Sequence, residues 1–185
     1  MYKRQDVCRL AGIDVERFKG LARRDQLPIV SPPPIGKTDE IRDHAKERGW
    51  NWFSAFDVFL IAVQEQLSRE MGYLNGINSE DAAKVVWNNN GFLGDVFWNH
   101  SSAAASGRKD KWIGYLAFDG PPNRNNGGMN VSGSIADILN QIKDLDIPVA
   151  RSFLVNADSA LRAITLRAES SGIEFKTGQA ALAAD

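Results

Sequence analysis

Residues 4–24 read RQDVCRLAGIDVERFKGLARR, and this stretch decides how the first half of the chain folds. Its apolar residues recur at three- and four-residue spacing, at Val7, Ala11, Val15, Phe18 and Leu21. This spacing gives each of two short helices one apolar face. Gly12 lies where a sharp corner needs a positive φ angle, and Asp14 can cap the second helix. We therefore predict two short helices joined by a tight corner at residues 11–13.

Basic side chains occupy positions of this helix pair that the apolar face does not use. They are Arg4 on the first helix and Arg17, Lys19, Arg23 and Arg24 on the second. Two helices joined in this way form a helix-turn-helix, whose second helix enters the major groove of DNA. Because Arg can bond both acceptors of guanine, we expect Arg17 to contact a base edge and the other four to contact phosphates. An exposed, solvated helix face is the alternative interpretation.

The segments that follow extend this pattern in a specific order. ARRDQLPI occupies residues 22–29, and RGWNWFSAFDV occupies residues 48–58. Together with small Cys8 and turn Gly12, they resemble the winged helix-turn-helix of the MerR/excisionase superfamily, from residue 1 to about residue 90. In that group the recognition helix leads into an "rr..LP" turn, a two-stranded wing and a helix opened by an aromatic-Ser-x-x-Asp segment. The resemblance implies double-stranded DNA as the partner, contacted by the helix at 14–24 and by a wing at 28–53.

The expected wing carries a long insertion. Residues 27–30 have the composition of an edge strand that a Ser-Pro-Pro-Pro run ends, and residues 50–53 suit the second wing strand. Between them, residues 35–49 stand where the resembled family has a short wing tip. Four bases of this segment are candidates for the minor groove or the DNA backbone: Lys37, Arg42, Lys46 and Arg48. Because the segment also contains four acids, a solvated loop is an equally good interpretation.

Two more helices complete the predicted N-terminal unit. Ser54 and Asp57 form a capping box, and the helix after them should carry its apolar face on Phe56, Phe59, Leu60, Val63, Leu67 and Met71 and end near Gly72. A shorter helix should run from Asn78 or Ser79 through Trp87. MerR regulators continue into a long helix that pairs two subunits. This chain instead enters residues 99–111, which are rich in Ser, Ala and Gly and which we interpret as a linker.

Residues 112–176 predict a second, smaller α/β unit. The run Trp112–Phe118 has strand composition, residues 123–130 are turn-like, and a helix should begin at Ser132 or Ser134. A strand at residues 148–155 and a helix from Asp158, with Leu161, Ile164, Leu166 and Ala168 on its apolar face, should follow. This order favours a small sheet covered by helices. The predicted fold class is α+β, with a winged helix-turn-helix at 1–98, this unit after it, and a frayed tail at 177–185.

Charge is distributed unevenly along the chain. Its 185 residues have a net charge of −1, but residues 1–50 contain 11 Lys or Arg and 8 Asp or Glu, a net of +3. Residues 51–185 contain 11 and 15, a net of −4. The basic excess therefore lies in the half that contains the helix pair. Because this excess is modest, we expect specific binding to need two copies, as a homodimer.

The composition excludes several other classes of protein. No run of 18 apolar residues is present, which excludes a membrane span, and residues 1–7 lack the apolar segment of a secretory signal. Cys8 is the only cysteine, which excludes an internal disulfide and suits a reducing cytoplasm. His44 and His100 have no metal-ligand spacing around them. With no convergent acid, base or nucleophile, we predict neither an enzyme nor a bound cofactor or metal.

Two functions share the predicted DNA-binding unit. The first is a dimeric transcriptional regulator of a palindromic site, in which residues 112–176 supply the dimer contact or bind a protein partner or small effector. The alternative is an assembly protein of DNA packaging or recombination, since phage small terminase subunits and excisionases resemble the N-terminal half too. The regulator would be a dimer, whereas a packaging protein would form larger rings.

Overall fold

Helices and short antiparallel sheets alternate along the chain, which confirms the α+β class. The computed structural model describes residues 1–29, 52–69, 76–100, 110–118, 127–146 and 148–178. In chain order the described elements are β1 (Tyr2–Lys3), α1 (Arg4–Ala11), α2 (Val15–Arg23), β2 (Trp52–Phe53), α3 (Ala55–Ser68), α4 (Ser79–Asn88), α5 (Asn90–Trp98), β3 (Trp112–Phe118), β4 (Gly128–Gly133), α6 (Ile135–Lys143), β5 (Val149–Asn156) and α7 (Ala157–Ser171).

The corner between α1 and α2 forms as predicted. Gly12 adopts a left-handed conformation with a φ of 72°, and its N–H donates to the carbonyl of Cys8 at 3.0 Å. The Asp14 carboxylate caps α2 by accepting from the backbone N–H groups of Glu16 and Arg17. Val15 differs from the prediction because its side chain is exposed. It is the first residue of α2, and helical side chains lean toward the N-terminus, here beyond the packed part of the helix.

Helix α3 occupies the centre of the core. Its capping box forms as predicted, with the Ser54 hydroxyl accepting from the N–H of Asp57 and the Asp57 carboxylate accepting from the N–H of Ser54. Six consecutive residues, 58–63, are fully buried, so the helix is apolar around its circumference rather than on one face. It ends at Ser68, about one turn before the predicted end. Met71 and Gly72 lie outside the described residues.

The partner of β2 is the start of the chain. Tyr2 pairs with Phe53 and Lys3 with Trp52 in an antiparallel ribbon. The prediction of a strand at residues 27–30 is wrong for residues 27–29, which form no regular structure, and residue 30 lies outside the described part. Pro28 has no N–H to donate to a strand ladder, and Leu27 and Ile29 pack on the core as an irregular segment.

The C-terminal sheet has the order β4-β3-β5, with antiparallel pairing throughout. Strands β3 and β5 and helices α6 and α7 confirm the predicted elements, and Ser134 caps α6 through a capping box. The prediction of a turn-like segment at 123–130 is wrong for residues 128–130, which belong to β4, and Ser132, one of the two predicted helix starts, lies in the same strand. Strand β4 forms because it pairs with β3 and buries Val131 against Leu116 and Ile138.

One hydrophobic core runs through both predicted units. Residues of α1, α3, α4 and α5 cluster with Ile113 of β3, Val155 of β5 and the buried face of α7. The predicted linker at 99–111 is therefore not a boundary between separate cores in the described part of the chain; residues 101–109 lie outside it. Leu166 is exposed rather than packed, since it lies on the side of α7 opposite Ile164 and Ala168.

The last helix also contacts the α1–α2 corner directly. Arg167 of α7 donates from Nη1 to the carbonyl oxygen of Leu10 at 3.0 Å. Its guanidinium fills the space where a side chain at position 12 would lie, because an added Cβ there would be 2.8 Å from Cζ of Arg167. A cation at the carbonyl end of α1 also opposes the partial negative charge of that helix terminus. The corner is thus fixed by its own backbone and by the C-terminal helix.

Replacing Gly12 with Ala tests this contact. A left-handed non-glycine residue costs about 1–2 kcal/mol, and at position 12 the methyl group must also displace Arg167. Gly172 is a matched control because it has a similar φ of 64° and no atom within 4 Å of an added Cβ. We expect Gly12→Ala to lower the free energy of unfolding, measured in urea, by more than Gly172→Ala does. Equal losses would show that Arg167 does not constrain the corner.

Candidate nucleic-acid interface

The side of α2 that faces away from the core is polar and open. Phe18 and Leu21 are fully buried, and successive residues of a helix are about 100° apart. Glu16, Lys19, Gly20 and Arg23 therefore lie on the opposite side, which we call the open face. The lack of a side chain at Gly20 leaves the middle of the open face flat, with only the Arg24 guanidinium within 4 Å of an added Cβ.

Three of the predicted phosphate-contacting residues are on or beside this face. Lys19 is half-exposed, and its Nζ is 2.7 Å from Oε1 of the exposed Glu16. Arg23 is exposed at the end of α2, and the exposed Arg24 donates from Nε to Oε1 of Gln26 at 3.0 Å. The fourth, Arg4, is exposed at the start of α1. An exposed pair such as Lys19–Glu16 contributes at most about 1 kcal/mol, so it is easily exchanged for another partner.

The side chain of Arg17 points toward α3 and not toward the open face. Its Nε donates to Oε2 of Glu65 at 2.7 Å, and its Nη2 donates to the hydroxyl of Ser68 at 2.8 Å. The side chain of Arg17 is 38% exposed and that of Glu65 is 11% exposed. Both partners belong to the last turn of α3, so the guanidinium lies between the two helices. A base contact by Arg17 would require it to leave this ion pair, and that contact stays a prediction.

The ribbon of β1 and β2 brings Lys3 and Trp52 together at the surface. Neither residue was among the predicted DNA contacts. Phe53 points inward and packs edge-on against Phe18 of α2, with ring centroids 5.5 Å apart. Because neighbouring strand residues face opposite sides, Trp52 points outward and is 51% exposed. The ammonium of Lys3 lies 5.6 Å from the centroid of the Trp52 ring. Strand alternation was the available signal, but it required knowing that the chain start pairs with β2.

The remaining predicted contacts belong to the insertion. Lys37, Arg42, Lys46 and Arg48 lie outside the described residues, so their contacts with the minor groove or backbone stay predictions.

Chemistry of other kinds is sparse around this interface. In the described ranges no three His, Cys, Asp or Glu side chains converge as a metal site would require. His100 lies near Asp158 and Arg162, and burial lowers its pKa below the ordinary value. None of the described helices combines the length and the apolar composition needed to cross a membrane.

Cys8 lies on the buried side of α1. Burial raises the pKa of its thiol from 9.0 to about 11, while the neighbouring Arg4 lowers it by less. The thiol is therefore neutral at physiological pH and is a poor nucleophile.

Alkylation tests the burial of Cys8. Two units of pKa correspond to about a 100-fold smaller thiolate fraction at pH 8, and poor access lowers the rate further. We expect iodoacetamide to label the native protein at least about 100-fold more slowly than the protein unfolded in guanidinium chloride, with Cys8→Ser as the unlabelled control. Similar rates in the two states would place Cys8 outside the core.

No model of a known protein family matches this chain, and no curated protein has a similar sequence. Its function is therefore inferred from its own geometry and chemistry.

Proposed function

We propose that this protein is a sequence-specific, double-stranded DNA-binding transcriptional regulator that reads the major groove with α2. The observation that carries the proposal is the attachment of α2. Phe18 and Leu21 hold one side of the helix in the core, and a tight corner at Gly12 fixes its start. The opposite side, the open face, is left free for a partner. A winged helix-turn-helix of the MerR/excisionase kind is the fold that this arrangement supports best.

The size of α2 supports this partner. Nine residues at 1.5 Å each give a rod about 14 Å long, and a helix with its side chains is about as wide as the major groove of B-DNA. Four cations suit phosphates on either side of the groove: the exposed Arg4, Arg23 and Arg24 and the half-exposed Lys19. Glu16 projects from the N-terminal end of the open face, where a carboxylate can accept from the amino group of cytosine.

The C-terminal half offers a surface for a second copy. Ile135 and Leu139 are large apolar residues one helical turn apart on α6, and both are exposed. A single N-terminal half has a net charge of only +3, so a homodimer would double the charge presented to DNA.

Leu139→Glu should therefore lower the molar mass in solution from that of a dimer to that of a monomer. A large ring in the unaltered protein would instead favour the packaging alternative.

Selection of bound duplexes from a random pool tests the proposed function most directly. A regulator should enrich a palindromic sequence with half-sites about one helical turn apart, and its affinity should fall steeply with salt. Equal affinity for all duplexes would contradict sequence-specific binding.

The Lys19→Ala variant tests the open face. Loss of one phosphate contact should weaken binding to all duplexes similarly and reduce the slope of log K against log salt by about 0.9. Lys84→Ala is the matched control, since Lys84 of α4 is also exposed and lies 2.7 Å from a glutamate, Glu80, in the same kind of pair. Equal effects of the two substitutions on DNA affinity would exclude α2 as the contact.

A further inference from the structure

The ion pair of Arg17 is an attachment of α2 that the apolar core does not provide. Phe18 and Leu21 are fully buried and hold α2 through apolar contacts on one side of the helix only. Arg17 lies about 100° around the helix from Phe18. Its two hydrogen bonds to Glu65 and Ser68 are directional and fix a second point on the circumference of α2.

The partners of Arg17 are themselves held in place. Both lie in the last turn of α3, whose core position makes it a rigid support. The Ser68 hydroxyl accepts from Arg17 and donates to the carbonyl of Gln64 at 3.0 Å. The Glu65 carboxylate is nearly buried, so a cationic partner offsets its loss of hydration. The C-terminus of α3 also favours a cation through its helix dipole.

We propose that Arg17 is a positioning residue that sets the rotation of α2 and so directs Lys19 and Arg23 toward DNA, without contacting DNA itself. This inference rests on the proposed function. It assigns to Glu65 and Ser68, which belong to α3 and not to the open face, a share in sequence discrimination. When α2 is free to rotate, contacts at the selected site are misaligned, whereas contacts with random duplexes depend on charge and tolerate rotation.

The Glu65→Gln variant separates positioning from direct contact, because the two predict changes of opposite sign. It removes a negative charge and replaces the charge-assisted bond to Arg17 with a weaker neutral one, so a directly contacting Arg17 would bind DNA equally well or more tightly. A positioning Arg17 is then held less firmly, so affinity for the selected site should fall by about tenfold, the size of coupling seen within one ion-pair network. Affinity for a scrambled duplex should not fall.

The charge control is Glu80→Gln, which removes a carboxylate of the same kind from the exposed pair on α4. It should leave the ratio of affinities for selected and scrambled duplexes unchanged. Arg17→Met should reproduce the loss caused by Glu65→Gln while leaving the salt slope unaltered. The Arg17→Met/Glu65→Gln double variant should lose no more than the worse single variant, because both break the same link.

Fluorescence anisotropy with labelled duplexes measures these affinities, and urea unfolding with circular dichroism confirms that each variant is folded under the same conditions. Sequence preference in the unaltered protein, combined with equal or tighter binding by Glu65→Gln, would overturn the positioning role alone. Additive losses in the double variant would do the same. No sequence preference in the unaltered protein would overturn the proposed function and this inference with it.

Discussion

The burial of α3 on every side is the constraint on which the rest of the described structure depends. Residues 58–63 expose no surface, so other elements must cover the whole circumference of this helix. The elements that pack most extensively against it are α1, α4, α5, α7 and strands β2 and β5. They come from both halves of the chain. One shared core follows from the composition of this one helix.

The shared core gives the C-terminal half a direct part in forming the candidate interface. The Tyr2 hydroxyl donates to the carbonyl of Glu174 at 3.0 Å, and the Tyr2 ring is 5.7 Å from that of Phe175. Arg167 bonds to the carbonyl end of α1. The β1–β2 ribbon and the α1–α2 corner are thus both held by residues after β5. The geometry presented to a partner by α2 therefore depends on residues more than 150 positions away in sequence.

The basic side chains of α2 lie in two different environments. Lys19 and Arg23 are on the open face, where solvent screens the Lys19–Glu16 pair and lets Lys19 exchange this partner. Arg17 faces a nearly buried carboxylate, where an ion pair is less screened and losing one partner is costly. The position of a basic residue around the helix therefore decides whether it is available to contact DNA or forms an ion pair within the fold. Side chains of the same type, a few residues apart, have different roles for this physical reason.

The sequence by itself determined the elements that depend on interactions between residues close together in the chain. The corner at Gly12, the cap at Asp14 and the capping boxes at Ser54 and Ser134 were predictable because each involves atoms within about four residues. Helices α1–α4, α6 and α7 and strands β3 and β5 followed from apolar spacing and composition, whereas α5 was not predicted as a helix.

Only the tertiary structure decided the features whose partners are distant in sequence. The pairing of β2 with β1, the formation of β4 and the core shared by both halves depend on surfaces that meet after the chain has folded. The direction of Arg17 depends on Glu65, 48 residues later, and the sequence offered no reason to prefer that carboxylate to a DNA base. Sequence spacing shows which side of a helix a residue occupies, whereas the partner of that residue depends on which element packs against that side.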